Sequence, residues 1–104
     1  MLRRFLQEYF KVARIERWCY VDEEGFVYGY PVVIDVDLVV KDGEHILIEV
    51  KSSVDRGDVL ELYRIGELYE RVTGVVPRLV VVTCFIGDRA RRLAEKLGVD
   101  VITY

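Results

Sequence analysis

VVIDVDLVVKDGEHILIEVKSS, residues 32–53, decides the fold of this chain. Alternating Val, Ile and Leu on both sides of Asp42-Gly43 reads as two β-strands joined by a tight turn. Val32, Ile34, Val36, Leu38 and Val40 form one apolar row, and Ile46, Ile48 and Val50 form another. A two-residue connection would pair Lys41 with Glu44 and set the first row on the face of Glu49 and Lys51. A three-residue connection pairs Lys41 with His45 and keeps both rows on one core face. The sequence therefore predicts the longer connection, with Gly43 in the left-handed conformation beside a bulge.

That register sets Asp37 opposite Glu49 and Asp35 opposite Lys51. Three carboxylates and one amine gathered on one face require water or a cation between them. An all-oxygen set suits a hard divalent ion such as Mg2+, which takes one or two carboxylates and fills its other positions with waters and substrate phosphates. A lysine beside such an ion orients or deprotonates the attacking water, or stabilises charge developing on a phosphate. The pattern points to phosphodiester hydrolysis.

Asp37 followed after eleven residues by Glu49-Val50-Lys51, on the second strand of a hairpin, resembles the PD-(D/E)xK nuclease superfamily. Within it the likeness is to small archaeal members, the Holliday-junction resolvases and uncharacterised relatives. Val36 stands where the motif's name places a proline, and Pro31 lies six residues before Asp37. The resemblance implies that Asp37 and Glu49 hold a metal, Mg2+ or Mn2+, with the carbonyl of Val50, and that Lys51 is catalytic. It implies a glutamate on the first helix as a further ligand, for which Glu8 is the candidate and Glu16 on the next strand its competitor. A homodimer acting on nucleic acid, with DNA favoured over RNA, is the expected assembly.

Outside the hairpin, Leu2, Phe5, Leu6 and Tyr9 repeat at helical spacing and predict a helix over residues 2–11. Residues 13–21 read as a strand, residues 22–25 as a turn and residues 26–30 as a further strand. Tyr20, Tyr28 and Tyr30 can stack on bases, although a buried ring with a wet hydroxyl is the ordinary role of a strand tyrosine. Asp55 or Asp58 caps a helix that runs to Val72. Because that helix starts beside Lys51, Arg56, Tyr63 and Arg64 are candidate phosphate contacts, and Asp35 and Ser53 join them as substrate-binding candidates. Gly74 and Pro77 separate the helix from a strand over residues 78–85. A helix over residues 88–97, Gly98 and a strand over residues 99–104 complete the chain. The order α-β-β-β-β-α-β-α-β predicts one α/β domain, residues 1–104. Its sheet is mixed and restriction-endonuclease-like with flanking helices, an αβββαβ core plus a further helix and strand.

Hydrophobic content of 52% and a mean hydropathy of +0.17 exclude disorder. No apolar run approaches the ~18 residues that span a bilayer, and no signal peptide is evident, so a cytoplasmic protein with no membrane association is expected. Cys19 and Cys84 lack metal-ligand spacing and are expected reduced and half-buried. Asn is absent and Gln occurs once, which suggests a thermophile. The net charge of −3 gives no global positive field, so any polyanion site must be local. There is no Gly-rich phosphate loop and no Ser-His-Asp arrangement, and His45, the lone histidine, reads as structural. Two alternatives to a nuclease stay open. One is an inactive nuclease-fold module that binds DNA or a protein. In the other the hairpin acids are structural, with Asp35 and Lys51 forming an exposed pair of little energetic weight.

Overall fold

Asp42 and Gly43 both adopt positive φ, 53° and 81°, the signature of a type I′ turn whose twist matches that of the strands it joins. The connection therefore has two residues, and Lys41 pairs with Glu44, Val39 with Ile46 and Asp37 with Ile48. The expected three-residue loop, with Lys41 opposite His45 and Asp37 opposite Glu49, does not form. Its premise was a single buried face, and the sheet is covered on both.

The computed structural model describes residues 2–12 and 14–104. The expected strand start at Ala13 and the side chain of Leu2 lie outside the described residues. Along the chain come α1 (Leu2–Phe10), β1 (Glu16–Asp22), β2 (Val32–Lys41), β3 (Glu44–Val54), α2 (Arg56–Thr73), β4 (Arg78–Ile86), α3 (Asp88–Leu97) and β5 (Val99–Thr103). The strands form one mixed sheet in the order β1-β2-β3-β4-β5. β1, β2 and β3 pair antiparallel, whereas β3, β4 and β5 pair parallel. The fold is α/β, with helices on both faces.

One core lies between the sheet and α2 and α3. It takes Ile34, Val36 and Leu38 from β2, Leu47 from β3, and Val59, Leu62, Ile65 and Tyr69 from α2. A second core on the other face joins Leu6 and Phe10 of α1 to Val39, Ile46, Ile48, Val80 and Val82. The two apolar rows of the hairpin thus serve different cores, and Val40 is exposed. Ile46, Leu47 and Ile48 are only 2%, 0% and 1% exposed. A central strand buried on both faces reads as a continuous apolar run and carries no alternation to fix its register.

Residues 26–30 form turns rather than the expected strand. The buried Asp22 carboxyl accepts hydrogen bonds from the Phe26 and Val27 amides, at 3.1 and 2.9 Å. This side-chain acceptor replaces the partner that a neighbouring strand would have supplied. Gly25, at φ 68°, makes the reversal and is packed so closely against Tyr30 that a Cβ would meet its amide nitrogen at 2.6 Å. α2 begins with a capping box. Asp55 accepts from the Asp58 amide and Asp58 accepts from the Asp55 amide, each at 2.9 Å. Among the described residues, no helix is long and apolar enough to cross a membrane.

Candidate active site

The β2–β3 ladder stops at Asp37 and Ile48. Beyond that rung β2 stays with β1 as far as the Asp22–Val32 pair, and β3 stays with β4 as far as Val54–Ile86. The sheet therefore forks. Val32–Val36 lie on one limb and Glu49–Val54 on the other. In a type I′ hairpin the residues flanking the turn exchange hydrogen bonds, and bonded pairs recur at every second residue. Ile46, Ile48 and Val50 consequently direct their amide and carbonyl groups toward β2. Val50 lies past the last rung, so its carbonyl faces the fork.

The α2 side of the fork carries Glu49 and Lys51. The Lys51 ammonium sits 2.7 Å from the Asp58 carboxylate, and that hydrogen bond holds its pKa above the ordinary lysine value. Burial chiefly, and the nearby Glu61 next, push the Glu49 carboxyl up. Glu49 makes no hydrogen bond or ion pair of its own among the described residues. Tyr28 stands at the same place. Burial and a hydrogen bond with Glu61 push its hydroxyl pKa up to about 12.

The α1 side carries Asp35 and Asp37. Arg17, facing them from β1, lies 2.9 Å from Asp35 and 2.6 Å from Asp37. A hydrogen bond from the Cys19 thiol, followed by that from Arg17, holds Asp35 below the usual carboxylate range. Asp37 also lines a pocket of about 130 Å³ with Arg3, Leu6, Ile15 and Val50.

The expected four-residue cluster is thus divided by the sheet, with Asp35 and Asp37 on one face and Glu49 and Lys51 on the other. Asp35 does not meet Lys51, because Arg17 and Asp58 are their respective partners. Glu8 is exposed on α1. It lies two residues from Leu6, which points to the sheet, so the helical turn of about 100° per residue carries it to the far side. Glu16 faces the α2 side beside Tyr69 and opposite Leu38, within the closed part of the ladder. Neither glutamate reaches the fork.

Among the substrate candidates, Ser53 and Arg56 are exposed at the Lys51 end. Tyr63 instead lines a groove with Val76 and Pro77 at the opposite end of α2. Arg64 lies 4.9 Å over the Phe26 ring and donates to the Phe26 carbonyl at 2.5 Å, which ties it to the residue 26–30 loop. Cys19 and Cys84 are free and exposed rather than half-buried, because both lie where the sheet faces are not covered by helices. His45 places Nδ1 2.6 Å from the Tyr69 hydroxyl.

Sequence reading missed Arg17 and Glu61, and it named Asp58 only as a helix cap and Tyr28 only as a residue able to stack on bases. Asp58 and Glu61 carried a signal, since both sit at i,i+3 spacing beside the inward arc of α2. Nothing in the sequence places Tyr28 beside Glu49, as its position depends on the Asp22-held turns.

Two carboxylates and a main-chain carbonyl bordering one fork form the all-oxygen set that suits a hard divalent ion completed by waters. The unpartnered Glu49 and the Val50 carbonyl fit that ion directly. Asp37 fits it once Arg17 is displaced. Among the described residues, no three His, Cys, Asp or Glu side chains already converge on one point.

A mixed five-stranded sheet with helices on both faces, forked beside an acid on one strand and Glu-x-Lys on the next, defines an α/β fold of the restriction-endonuclease type. The model of the PD-(D/E)XK nuclease superfamily matches residues 32–100, and the chain belongs to that superfamily. Residues 1–31 match a family described as a protein of unknown function, DUF3782. No curated protein matches the chain. Two solved structures share the fold. The apo structure of EndoMS is 22% identical with a TM-score of 0.63, and the match covers 86% of this chain and 36% of that one. The crystal structure of a repair endonuclease from Pyrococcus abyssi is 22% identical with a TM-score of 0.62, covering 99% of this chain and 45% of that one. This chain therefore spans less than half the length of either.

Proposed function

We propose that residues 1–104 act as one nuclease domain that hydrolyses phosphodiester bonds with the help of a divalent metal, Mg2+ or Mn2+. The observation that carries this reading is the fork, with Asp37 at the mouth of one limb and Glu49-Val50-Lys51 at the mouth of the other. Asp37, Glu49 and the Val50 carbonyl are the residues that would hold the ion. Bound there, it would polarise a phosphoryl oxygen and acidify an attacking water.

The chain's own groups supply the remainder. Lys51, with its pKa raised by Asp58, is an ammonium at neutral pH. Its role is to orient the water and to stabilise charge on the phosphate. Glu49 must be ionised to act, and burial pushes its carboxyl pKa up in the metal-free chain. Arg56, exposed at the same end, is a phosphate contact. DNA is the favoured substrate because one of the fold's relatives is a repair endonuclease. The homodimer implied by the resemblance belongs to the same reading and is checked by sedimentation.

The test is cleavage of single-stranded, duplex and four-way-junction DNA and of RNA by wild type and Glu49→Ala, with Mg2+ and then Mn2+. Cleavage that disappears in the variant and in EDTA supports the reading. Equal background in both proteins sinks it.

A second reading rests on the paired state of Asp37 with Arg17 and of Lys51 with Asp58. These pairs neutralise the motif internally, as in a nuclease-fold module that binds without cutting. Metal that raises the melting temperature of wild type without cleavage of any substrate would favour it.

A further inference from the structure

We infer that the groove between α2 and α3 is a docking site for the sugar-phosphate backbone of the nucleic acid, an inference that rests on the nuclease reading and locates where its substrate lies. Arg56 of α2 and Arg89, Arg92 and Lys96 of α3 line one groove of about 260 Å³, with Leu93 as its apolar side. On α3, Arg89, Arg92, Leu93 and Lys96 occupy i, i+3, i+4 and i+7, so the cations form a single stripe. Ala90 and Ala94 are the buried residues of the same helix. The acids Asp88 and Glu95 border the stripe one turn before and after Arg92, about 100° from Arg89 and Lys96 respectively, and neither pairs with a cation of the groove among the described residues.

All four cations are exposed, and none makes an ion pair or side-chain hydrogen bond among the described residues. In a chain of net charge −3, four unneutralised cations around one groove are a local departure that favours a polyanion. The groove also stands at the right end of the molecule. Val54 and Ile86 form the last rung of the β3–β4 ladder, and α2 and α3 each start two residues beyond it. Arg56 and Arg89 therefore share the edge of the sheet that carries Lys51. From Arg89 to Lys96 the stripe is about 10 Å long at 1.5 Å per residue. Laid along the duplex axis, that length covers about three phosphates of one DNA strand, one per 3.4 Å of axis.

The test is fluorescence anisotropy with a labelled 20-base-pair duplex in EDTA, titrated from 50 to 200 mM KCl. The proteins are wild type and the double variant Arg89→Ala/Arg92→Ala, whose exposed helical sites accept alanine without loss of fold. Four phosphate contacts give a log–log salt slope of about −3.6, and two give about −1.8. Wild type should lose roughly 150-fold in affinity over that range and the variant roughly 12-fold. Equal slopes overturn the inference, as does failure of wild type to bind the duplex at 50 mM KCl. Binding of poly-glutamate but not DNA, with the same dependence on Arg89 and Arg92, overturns it in favour of an acidic polypeptide.

The Mn2+-induced melting shift of wild type against Glu49→Ala, measured alongside, separates this failure from failure of the nuclease reading. A metal shift without a slope change removes the groove alone. A slope change without a metal shift removes the metal site alone.

Discussion

Asp22 is the residue whose loss the structure prices most clearly. Its two carboxyl oxygens accept from the amides of Phe26 and Val27, and both Asp22 and Val27 are buried. Asp22→Ala leaves the Val27 amide without a partner away from water, at about 1–3 kcal/mol, and removes a second net bond worth about 1 kcal/mol at the half-buried Phe26 amide. The expected loss is therefore about 2–4 kcal/mol, a fall in melting temperature of roughly 10–25 °C for a chain of this length. Asp22→Asn keeps one acceptor and should cost about half as much. Urea unfolding followed by fluorescence of Trp18, the lone tryptophan, packed 4.8 Å from Tyr69, reads both variants. The same bonds hold the loop that carries Tyr28 to Glu61 and Glu49. A loss below about 0.5 kcal/mol in Asp22→Ala, within the range of ordinary surface changes, would refute this account of the loop.

Four further outcomes are expected. Glu49 has a folded pKa above its unfolded one, so the metal-free chain loses stability as pH rises through that interval; Glu49→Gln should melt higher at pH 7–8, with the gain fading toward the ordinary glutamate pKa. A gain that grows on acidification would contradict the burial of that carboxyl. In Mg2+ at ~10 times its dissociation constant, wild type should gain about 1.4 kcal/mol, or roughly 6–11 °C, while Glu49→Gln gains nothing. Arg17→Met frees Asp37 and should enlarge the metal-induced shift at little cost to the metal-free fold, because the ion pairs it breaks face water; a smaller shift would show that Arg17 supports the site rather than competing for it. Finally, Asp37→Ala and Glu49→Ala should each abolish most of the metal shift, with the double variant no worse than either alone. Additive effects would mean that the two carboxylates do not share an ion.

Legibility followed the local signals. The caps at Asp55, Gly74 and Gly98 have side-chain or glycine chemistry that acts within one turn, and α2 and α3 lie where those residues place them. The type of turn at Asp42-Gly43 was equally local, but a global assumption of a single buried face overrode it. Ile46, Leu47 and Ile48 conceal the answer, since a strand covered on both faces is apolar at every position. Phe26-Val27-Tyr28 reads as strand by composition, yet the partner of its amides is a single carboxyl, which propensity does not report. For the site, the spacing of Asp37 from Glu49-Val50-Lys51 was visible in the sequence. The partition of these residues between two faces was not, since it follows from the register. Glu8 shows the limit of spacing alone, because the rotation of a helix about its own axis is set by what it packs on, here through Leu6 and Phe10.

The division of the motif between faces gains its meaning from where the ladder ends. In a continuous pair of strands the backbone would separate Asp37 from Glu49, since side chains alternate and neighbouring backbones stand only about 4.8 Å apart. Parting the strands just past Asp37 and Ile48 removes that barrier at one place and frees a main-chain carbonyl there. The same interruption leaves backbone groups unpaired, which would be a defect without a partner. Held apart, the two sides carry their own counter-charges, Arg17 for Asp37 and Asp58 for Lys51, so the metal-free fold does not store the full repulsion of its acids. A divalent ion entering the fork would compete with Arg17 for Asp37 while meeting an unpartnered Glu49. The β1 limb is therefore the part of the site that must yield, and the β3–β4 limb, held by its parallel ladder as far as Val54 and Ile86, is the part that stays fixed.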